Sequence, residues 1–205
     1  MTTLLEQLDR DMGDVVQKAR RSLVQIQSGG RGSGAGTIWH SDGLIITNAH
    51  VVRDRSPRVC LPEGDTLTAK ILAQDARLDV AALAVDATGL PTVDLGDSRV
   101  LQPGQWVMAL GHPWGVSGAA TGGVVIGTGA GLPDAPEQGR EWIAVSLHLR
   151  PGHSGGPLVD AQGRLIGINT MMAGLEVGLA VPVHVVKDFL RRELGSGVLR
   201  PVAVR

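Results

Sequence analysis

The sequence has little cysteine, few aromatic residues and no excess of charge of one sign. Cys60 is the only cysteine among 205 residues, so no disulfide can form within the chain. The 19 lysines and arginines are balanced by 20 aspartates and glutamates, which excludes the strong field that draws proteins to nucleic acid or anionic membranes. We therefore expect no nucleic-acid partner and no membrane partner.

Long apolar runs are also missing at the start of the chain. The first 22 residues mix acidic and basic side chains and lack the continuous apolar segment of a signal peptide or a membrane span. Taken with the single cysteine, which gives no sign of an oxidising compartment, this absence predicts a cytoplasmic protein.

Glycine, in contrast, is abundant, with 29 residues, while aromatic residues make up 2% of the chain. This composition is typical of many short strands that are joined by tight turns. A chain of this length hides roughly 70% of its unfolded surface on folding, which is enough for two small packed units.

Helical periodicity occurs only near the two ends. Residues 3–20 are predicted to form an amphipathic helix that packs on the body or mediates homo-oligomer formation. A second helix is predicted over residues 182–194, with Pro182 in its first turn. The apolar positions of the first helix are Leu4, Leu5, Leu8, Met12, Val15, Val16 and Ala19.

Between the helices, short Val/Ile/Leu runs separated by turn signals predict twelve strands. This pattern predicts an all-β fold of two six-stranded antiparallel β-barrels, with one helix at each end. The predicted units are residues 1–21 (first helix), 22–99 (first barrel), 100–190 (second barrel and last helix) and 191–205 (tail). The predicted strands are 22–28, 34–40, 43–48, 58–62, 66–75, 79–85, 105–111, 121–129, 142–149, 156–162, 164–172 and 177–183.

The stretch PGHSGGPLVD, residues 151–160, places Ser154 among glycines and has three interpretations. A G-x-S-x-G elbow between a strand and a helix would indicate an esterase of the α/β-hydrolase class. A serine on a loop between barrel strands, near backbone N–H groups, would indicate an endopeptidase. A glycine-rich turn with an exposed serine would indicate no catalysis at all.

The flanking sequence favours the endopeptidase. Two glycines and Pro157 follow Ser154, which argues against the helix that an elbow requires. The only later histidine, His184, falls inside the predicted last helix. Upstream, LIITNAHVV places His50 after an apolar strand, and RLDVAALAV places Asp79 at the start of another. Asp75 and Asp86 are nearby rivals for the acidic role.

The three motifs TNAHVV, LDVAAL and PGHSGGPLVD…GRLIGINT resemble the trypsin-fold serine proteases of the HtrA/Deg kind, over about residues 22–190. The resemblance implies two perpendicular barrels with a cleft between them, and it assigns catalysis to His50, Asp79 and Ser154. His50 would take the proton from the serine hydroxyl, and Asp79 would orient the imidazole. The backbone N–H groups of Gly152 and Ser154 would form the oxyanion hole.

Several further expectations concern specificity and cofactors. The resemblance puts His148 at the base of the primary specificity pocket, where the lack of an acid disfavours cleavage after Lys or Arg. A small or medium apolar side chain, or an acidic one, is expected instead. No cofactor and no metal are expected, because the remaining histidines have no metal-ligand spacing. The predicted pocket walls are Asn169, Thr170, Met171, Met172 and Gly178.

Two departures from the family pattern stand out. His153 precedes the nucleophile where relatives usually have Asn or Asp, which predicts a change in loop rigidity or pH dependence. Relatives often continue into a PDZ domain, whereas only 191–205 follow the last barrel here, so we interpret the chain as a protease domain without PDZ.

The leading hypothesis is a serine endopeptidase that acts on unfolded or damaged proteins in quality control. The alternative is a catalytically silent module of the same fold that binds polypeptides as a chaperone does.

Overall fold

A computed structural model of the chain describes residues 3–28, 32–132, 139–174 and 176–195. Within these ranges, two helices flank thirteen strands, and three short 3₁₀ turns lie between strands. The elements are α1 (Leu4–Arg20), β1 (Leu23–Ser28), β2 (Gly32–His40), β3 (Leu44–Thr47), β4 (Arg58–Cys60), β5 (Thr66–Thr68), β6 (Lys70–Asp75), β7 (Val80–Ala84), β8 (Trp106–Gly111), β9 (Ala119–Gly129), β10 (Trp142–Val145), β11 (Pro157–Asp160), β12 (Leu165–Ala173), β13 (Val177–Pro182) and α2 (Val183–Leu194).

The strands form two antiparallel sheets, which confirms the predicted fold class. The second sheet is a closed six-stranded barrel in the order β10-β13-β12-β11-β8-β9. The first sheet has seven strands rather than six, in the order β5-β4-β1-β2-β3-β7-β6. The extra strand arises because the predicted strand 66–75 breaks at Ala69, whose N–H donates to the carbonyl of Pro57 at 2.8 Å. Since β5 and β6 are the two edges and only Ala69 separates them, the chain itself joins the edges and the sheet is barrel-like.

Some strands are apolar at every position because their side chains point alternately into two different hydrophobic cores. In β3, the Ile45 side chain lies in the core of the first sheet, while the Leu44 and Ile46 side chains lie in a shared core with the second sheet and α2. Successive strand side chains point to opposite faces, so both faces of such a strand are buried. The second barrel has its own core, which includes Val107, Val125, Ile143, Leu158 and Ile166.

The C-terminal helix packs across both sheets. Its buried face carries Phe189 and Leu190 in the shared core, and Arg192 pairs with Asp75 of β6 at 2.9 Å. The helix begins at Val183, with Pro182 as its N-cap rather than its first helical residue. The predicted strand 142–149 is also shorter in the structure, where β10 ends at Val145, next to a register shift between Ala144 and Val145 in its pairing with β9.

The N-terminal helix is covered only at its C-terminal end. Thr3 and Glu6 form a capping box at its start, and Ala19 is fully buried at its end. The side chains of Leu4, Leu5 and Leu8 are 82%, 77% and 54% exposed, so the apolar face extends beyond the body. Oligomer formation through this face stays a prediction. Neither helix in the described ranges has the length and apolarity that crossing a bilayer requires.

Candidate active site

Strand pairing brings His50 and Asp79 together. In the antiparallel pair β3·β7, Thr47 lies opposite Ala81, so the chain leaving β3 passes beside the chain entering β7. His50 lies in a 3₁₀ turn, Ala49–Val51, directly after β3. The Asn48 amide donates to the carbonyl of Asp79 at 2.9 Å, which fixes the two segments to each other.

The carboxylate of Asp79 is buried and receives three hydrogen bonds. His50 Nδ1 lies 2.9 Å from Oδ2, the backbone N–H of His50 donates to Oδ1 at 3.0 Å, and the hydroxyl of Thr170 donates to Oδ2. Burial raises the pKa of this carboxyl, but the hydrogen bonds from His50 and Thr170 outweigh burial and hold the pKa below its usual value. Since an ionised carboxylate only accepts, Nδ1 carries the proton and Nε2 is left as the acceptor.

Asp79 is also distinctive in its backbone, because its φ of 51° lies in the left-handed region that few residues other than glycine adopt. Aspartate tolerates this conformation better than most. The two other candidate acids do not contact His50. Asp75 accepts from the N–H groups of Arg77 and Leu78 and pairs with Arg192, and Asp86 is exposed.

Ser154 comes from the second barrel but is anchored to the first. Its carbonyl accepts from Ala35 of β2 at 2.8 Å, and the carbonyl of Gly155 accepts from the hydroxyl of Thr37 at 3.3 Å. A Cβ at Gly155 would collide with the Ala35 carbonyl, and the φ of 86° there is a second reason for glycine. The glycines around the serine therefore permit a close approach between the sheets.

The serine hydroxyl does not point at the imidazole in this state. Ser154 Oγ donates to the carbonyl of Thr170 at 2.8 Å, and within the described ranges no hydrogen bond joins it to His50. Both side chains nevertheless line the same cavity of about 130 Å³, which also includes Gly34, Arg53 and Gly152. Catalytic hydrogen bonds are often absent in unliganded sites and form when the substrate binds.

The turn that precedes Ser154 is closed by a histidine. The His153 N–H donates to the Arg150 carbonyl at 2.9 Å, and the Arg150 N–H donates back to His153 Nδ1 at 3.1 Å. His153 is 3% exposed, and burial lowers its pKa, although the Arg150 carbonyl opposes the shift. Gly152 has φ 106° and its carbonyl accepts from His112 N–H at 2.8 Å.

The turn leaves two backbone donors without a protein acceptor. In the described part of the chain, neither the Gly152 N–H nor the Ser154 N–H donates to another group. The guanidinium of Arg150 stacks on the exposed ring of Trp114, 4.6 Å from its centroid. This contact links the turn to the loop that follows β8.

The residues predicted for the specificity pocket lie on β12, on β13 and between β10 and Ser154. Two of them contact the serine loop, because the carbonyl of Thr170 accepts from Ser154 Oγ and that of Asn169 accepts from the N–H of Gly155, both at 2.8 Å. Asn169 is fully buried and its amide donates to the carbonyls of Leu110 and Pro157. His148 is exposed, and Met172 Sδ accepts from the N–H of Leu149 at 3.2 Å. Met171 is half-buried, and Gly178 is buried beside the carbonyl of Leu147. None of these lines the cavity next to Ser154, so their specificity role stays a prediction.

Thr170 is the residue whose role the sequence did not reveal. Its hydroxyl bonds Asp79 and its carbonyl bonds Ser154, so one residue contacts two members of the predicted triad. The resemblance implies a pocket wall at this position. Two histidines outside the cleft have partners elsewhere: His184 bonds Ser98 and Glu141, and His112 Nδ1 accepts from the N–H of Gly118.

A two-barrel fold with His, Asp and Ser from opposite sheets at one cleft defines the class of the trypsin-like serine hydrolases. Comparison with known protein families supports this class. The sequence profile described as "Trypsin-like peptidase domain" matches residues 34–168. The chain belongs to this family, and the expected serine-type endopeptidase is confirmed as its class.

The relatives include proteases of the HtrA/Deg kind, as the resemblance implied. The chain is 36% identical to the mitochondrial serine protease HTRA2 of Bos taurus over 195 residues, covering 88% of this chain and 43% of the relative. It is 40% identical to a DegP-like periplasmic serine endoprotease of Pseudomonas putida over 161 residues, covering 76% and 33%. The chain thus spans less than half the length of these curated relatives.

A solved structure agrees with the sequence matches. The crystal structure of the serine endoprotease from Yersinia pestis aligns with a TM-score of 0.79 and 28% identity, covering 90% of this chain and 67% of that one.

The expectation of a cytoplasmic location is wrong. Relatives from Pseudomonas putida, Halomonas elongata and Hahella chejuensis are named periplasmic endoproteases. The expectation depended on the single cysteine and on the polar first residues. The single cysteine does not indicate the compartment, because a protein with a core of this size folds without disulfides.

Proposed function

We propose that the chain cleaves peptide bonds with His50, Asp79 and Ser154 as its catalytic triad. The observation that carries the proposal is the pairing of His50 Nδ1 with the buried Asp79 carboxylate at 2.9 Å, beside a cavity that Ser154 shares. This pairing leaves His50 Nε2 as a base that faces solvent, because the His50 side chain is 44% exposed.

In the proposed mechanism, the Ser154 hydroxyl leaves the Thr170 carbonyl, rotates towards His50 and gives up its proton as it attacks the scissile carbonyl. The imidazolium formed is stabilised by Asp79, and it later protonates the leaving amine. The N–H groups of Gly152 and Ser154, which lack protein acceptors in the described ranges, would donate to the developing oxyanion.

For the substrate, we propose extended segments of unfolded or damaged proteins. The cavity at Ser154 has about 130 Å³, which is room for one or two side chains rather than a folded element. A locally unfolded segment can lay its backbone along such a cleft, whereas a folded surface cannot reach into it. A role in protein quality control follows from this substrate class.

The test combines a fluorophosphonate probe with unfolded casein. We expect wild-type protein to be labelled and to cleave casein, and Ser154→Ala to lose both. Ser56→Ala, which changes an exposed serine away from the cavity, is the matched control and should retain both. Casein binding by wild-type protein without labelling or cleavage would contradict the triad and favour the silent binding module.

A further inference from the structure

A cavity of about 410 Å³ lies on the chain apart from the catalytic cleft. Its walls come from the C-terminal end of α1, from β1, from the segment after β4 and from the loop between β8 and β9. None of His50, Asp79 and Ser154 is among the wall residues. We call this space the α1 cavity; its walls include Arg20, Arg21, Leu23, Cys60, Leu61 and His112.

The charge of the α1 cavity has one sign. Arg20 and Arg21 line it, and none of the wall residues that the structure describes is an aspartate or a glutamate. Among the residues that the structure describes, neither guanidinium has a carboxylate within ion-pair distance, although the nearby Lys18 pairs with Asp94 at 2.7 Å. Two cations that converge on a concave space without a counter-charge are an arrangement that attracts anions.

The two arginines are consecutive residues at the C-terminal end of α1, and both line the cavity. Neighbouring residues on a helix normally point in different directions. Here Arg20 is the last residue of α1 and Arg21 is its C-cap, with a helical φ of −62° and ψ of −32°, yet both line one cavity. Basic residues at a helix C-terminus also interact favourably with the helix dipole, but that interaction does not require them to line the same cavity.

Arg20 is held in place by the loop that follows β8. Its guanidinium donates to the carbonyl of Ser117 at 3.3 Å. Gly118 leaves room for it, because a Cβ there would collide with Arg20 Nε, and the φ of 65° at Gly118 favours glycine independently. A guanidinium that is already positioned loses less entropy when it binds a ligand, and its planar donors match carboxylate and phosphate oxygens.

We propose that the α1 cavity binds a small organic anion, whose carboxylate or phosphate group is held by Arg20 and Arg21. Apolar wall residues, Leu23, Leu61 and Pro62, would contact the carbon skeleton of the ligand. The volume suits a molecule of metabolite size rather than an inorganic ion alone.

The only cysteine of the chain lies in this wall, and it offers a direct test. Initial rates of Cys60 alkylation are measured with iodoacetate, an anion, and with neutral iodoacetamide. The ratio of the two rates is compared with that of a free model thiol. Because any change in thiol ionisation affects both reagents equally, the ratio reports only the attraction of an anion.

We expect the ratio to be about fivefold to tenfold higher at Cys60 than at the model thiol in low salt, since each nearby guanidinium contributes roughly a threefold preference. Arg21→Gln and Arg20→Gln should each lower the ratio about threefold, and Arg20→Lys should restore it. Arg77→Gln, an exposed arginine outside the cavity wall, is the control and should leave it unchanged. Circular dichroism confirms that each variant is folded.

A second measurement tests occupancy and distinguishes the two anion chemistries. Inorganic phosphate and citrate are titrated against Cys60 alkylation by iodoacetamide, with sodium chloride holding the ionic strength constant. Protection of at least twofold that Arg21→Gln abolishes supports the site, and the protecting anion identifies a phosphate or a carboxylate ligand. No protection by either anion, or protection that persists in both arginine variants, overturns the proposal even if the reagent ratio is raised.

Discussion

The hydroxyl of Thr170 on β12 donates to the carboxylate of Asp79 beside β7, and so joins the two sheets at the centre of the cleft. The same residue accepts the proton of Ser154 on its carbonyl. Thr170 is therefore placed to hold the acid by its side chain and the resting nucleophile by its backbone.

Removing the Thr170 hydroxyl should slow catalysis with little effect on substrate binding. A hydrogen bond to a charged group is worth about 1.5–3 kcal/mol, so Thr170→Val should lower kcat about 10- to 100-fold and leave KM nearly unchanged. Thr170→Ser retains the donor and should recover most of kcat. Steady-state kinetics on a fluorogenic peptide measures both constants; equal rates for the Val and Ser variants would contradict the role.

Asp79→Asn should lower kcat by about 10,000-fold, the loss that follows when the imidazole of a triad is held in the wrong tautomer. The rival acid Asp75 offers the control, because Asp75→Asn alters a turn and a pair with Arg192 but not the cleft. We expect its kcat to stay within about twofold of the wild-type value. A greater loss from Asp75→Asn than from Asp79→Asn would reassign the acid.

Stability should fall as the solution is acidified below about pH 6.5, because burial lowers the pKa values of both His153 and His112 from 6.5 in the unfolded chain. The native state then binds fewer protons than the unfolded state, so stability is full above pH 6.5 and is lost as pH falls through the lowered values. The charges of Arg150 beside His153 and of Arg20 beside His112 also lower these pKa values, and His112 and His153 disfavour each other's protonation. Backbone hydrogen bonds with Arg150 and Val24 act in the opposite direction but do not outweigh burial.

The variant His153→Asn should reduce the dependence of stability on pH. It should also shift the acid limb of the pH–rate profile, because protonation of His153 Nδ1 in the wild type would remove the acceptor of the Arg150 N–H. Thermal melts of both proteins at pH 7.5 and pH 5.5 measure the first effect, and kcat/KM against pH measures the second. Identical profiles for wild type and variant would show that His153 does not control the turn.

A methyl group at Gly155 should destabilise the protein by about 3 kcal/mol or more, because the residue has φ 86° and its Cβ would collide with the carbonyl of Ala35. Gly13→Ala is the opposite case, since Gly13 lies in α1 with nothing within 4 Å of an added Cβ. That change should stabilise by about 0.5–1 kcal/mol. Urea unfolding measures both; a Gly155→Ala value near zero would refute the close approach.

The sequence predicted the fold class because its signals are local: periodicity in α1 and α2, alternation in the strands and glycine at the turns. It also predicted a triad of His50, Asp79 and Ser154, since each lies in a short motif. It did not reveal the role of Thr170, whose contact with Asp79 joins residues 91 positions apart and depends on how the sheets pack. The specificity pocket stays a prediction, and in the structure the Asn169 amide donates to the carbonyls of Leu110 and Pro157.

The break at Ala69 and the exposed leucines of α1 have similar causes. No local pattern distinguishes one bent strand from two, because the bend comes from pairing with β4 on one side and β7 on the other. The amphipathic pattern of α1 was clear, but periodicity states only which face is apolar and not how far a neighbouring surface extends along it.

The backbone on either side of the Ser154–Gly155 bond is fastened to β2 across the boundary between the barrels. If the two sheets separate by even a few ångströms, these hydrogen bonds break and Ser154 moves relative to His50, while the separate core of each sheet can stay packed. Such a protein would be inactive although its circular dichroism spectrum is native. Catalytic activity is therefore a more sensitive measure of how the two sheets pack than spectroscopy is.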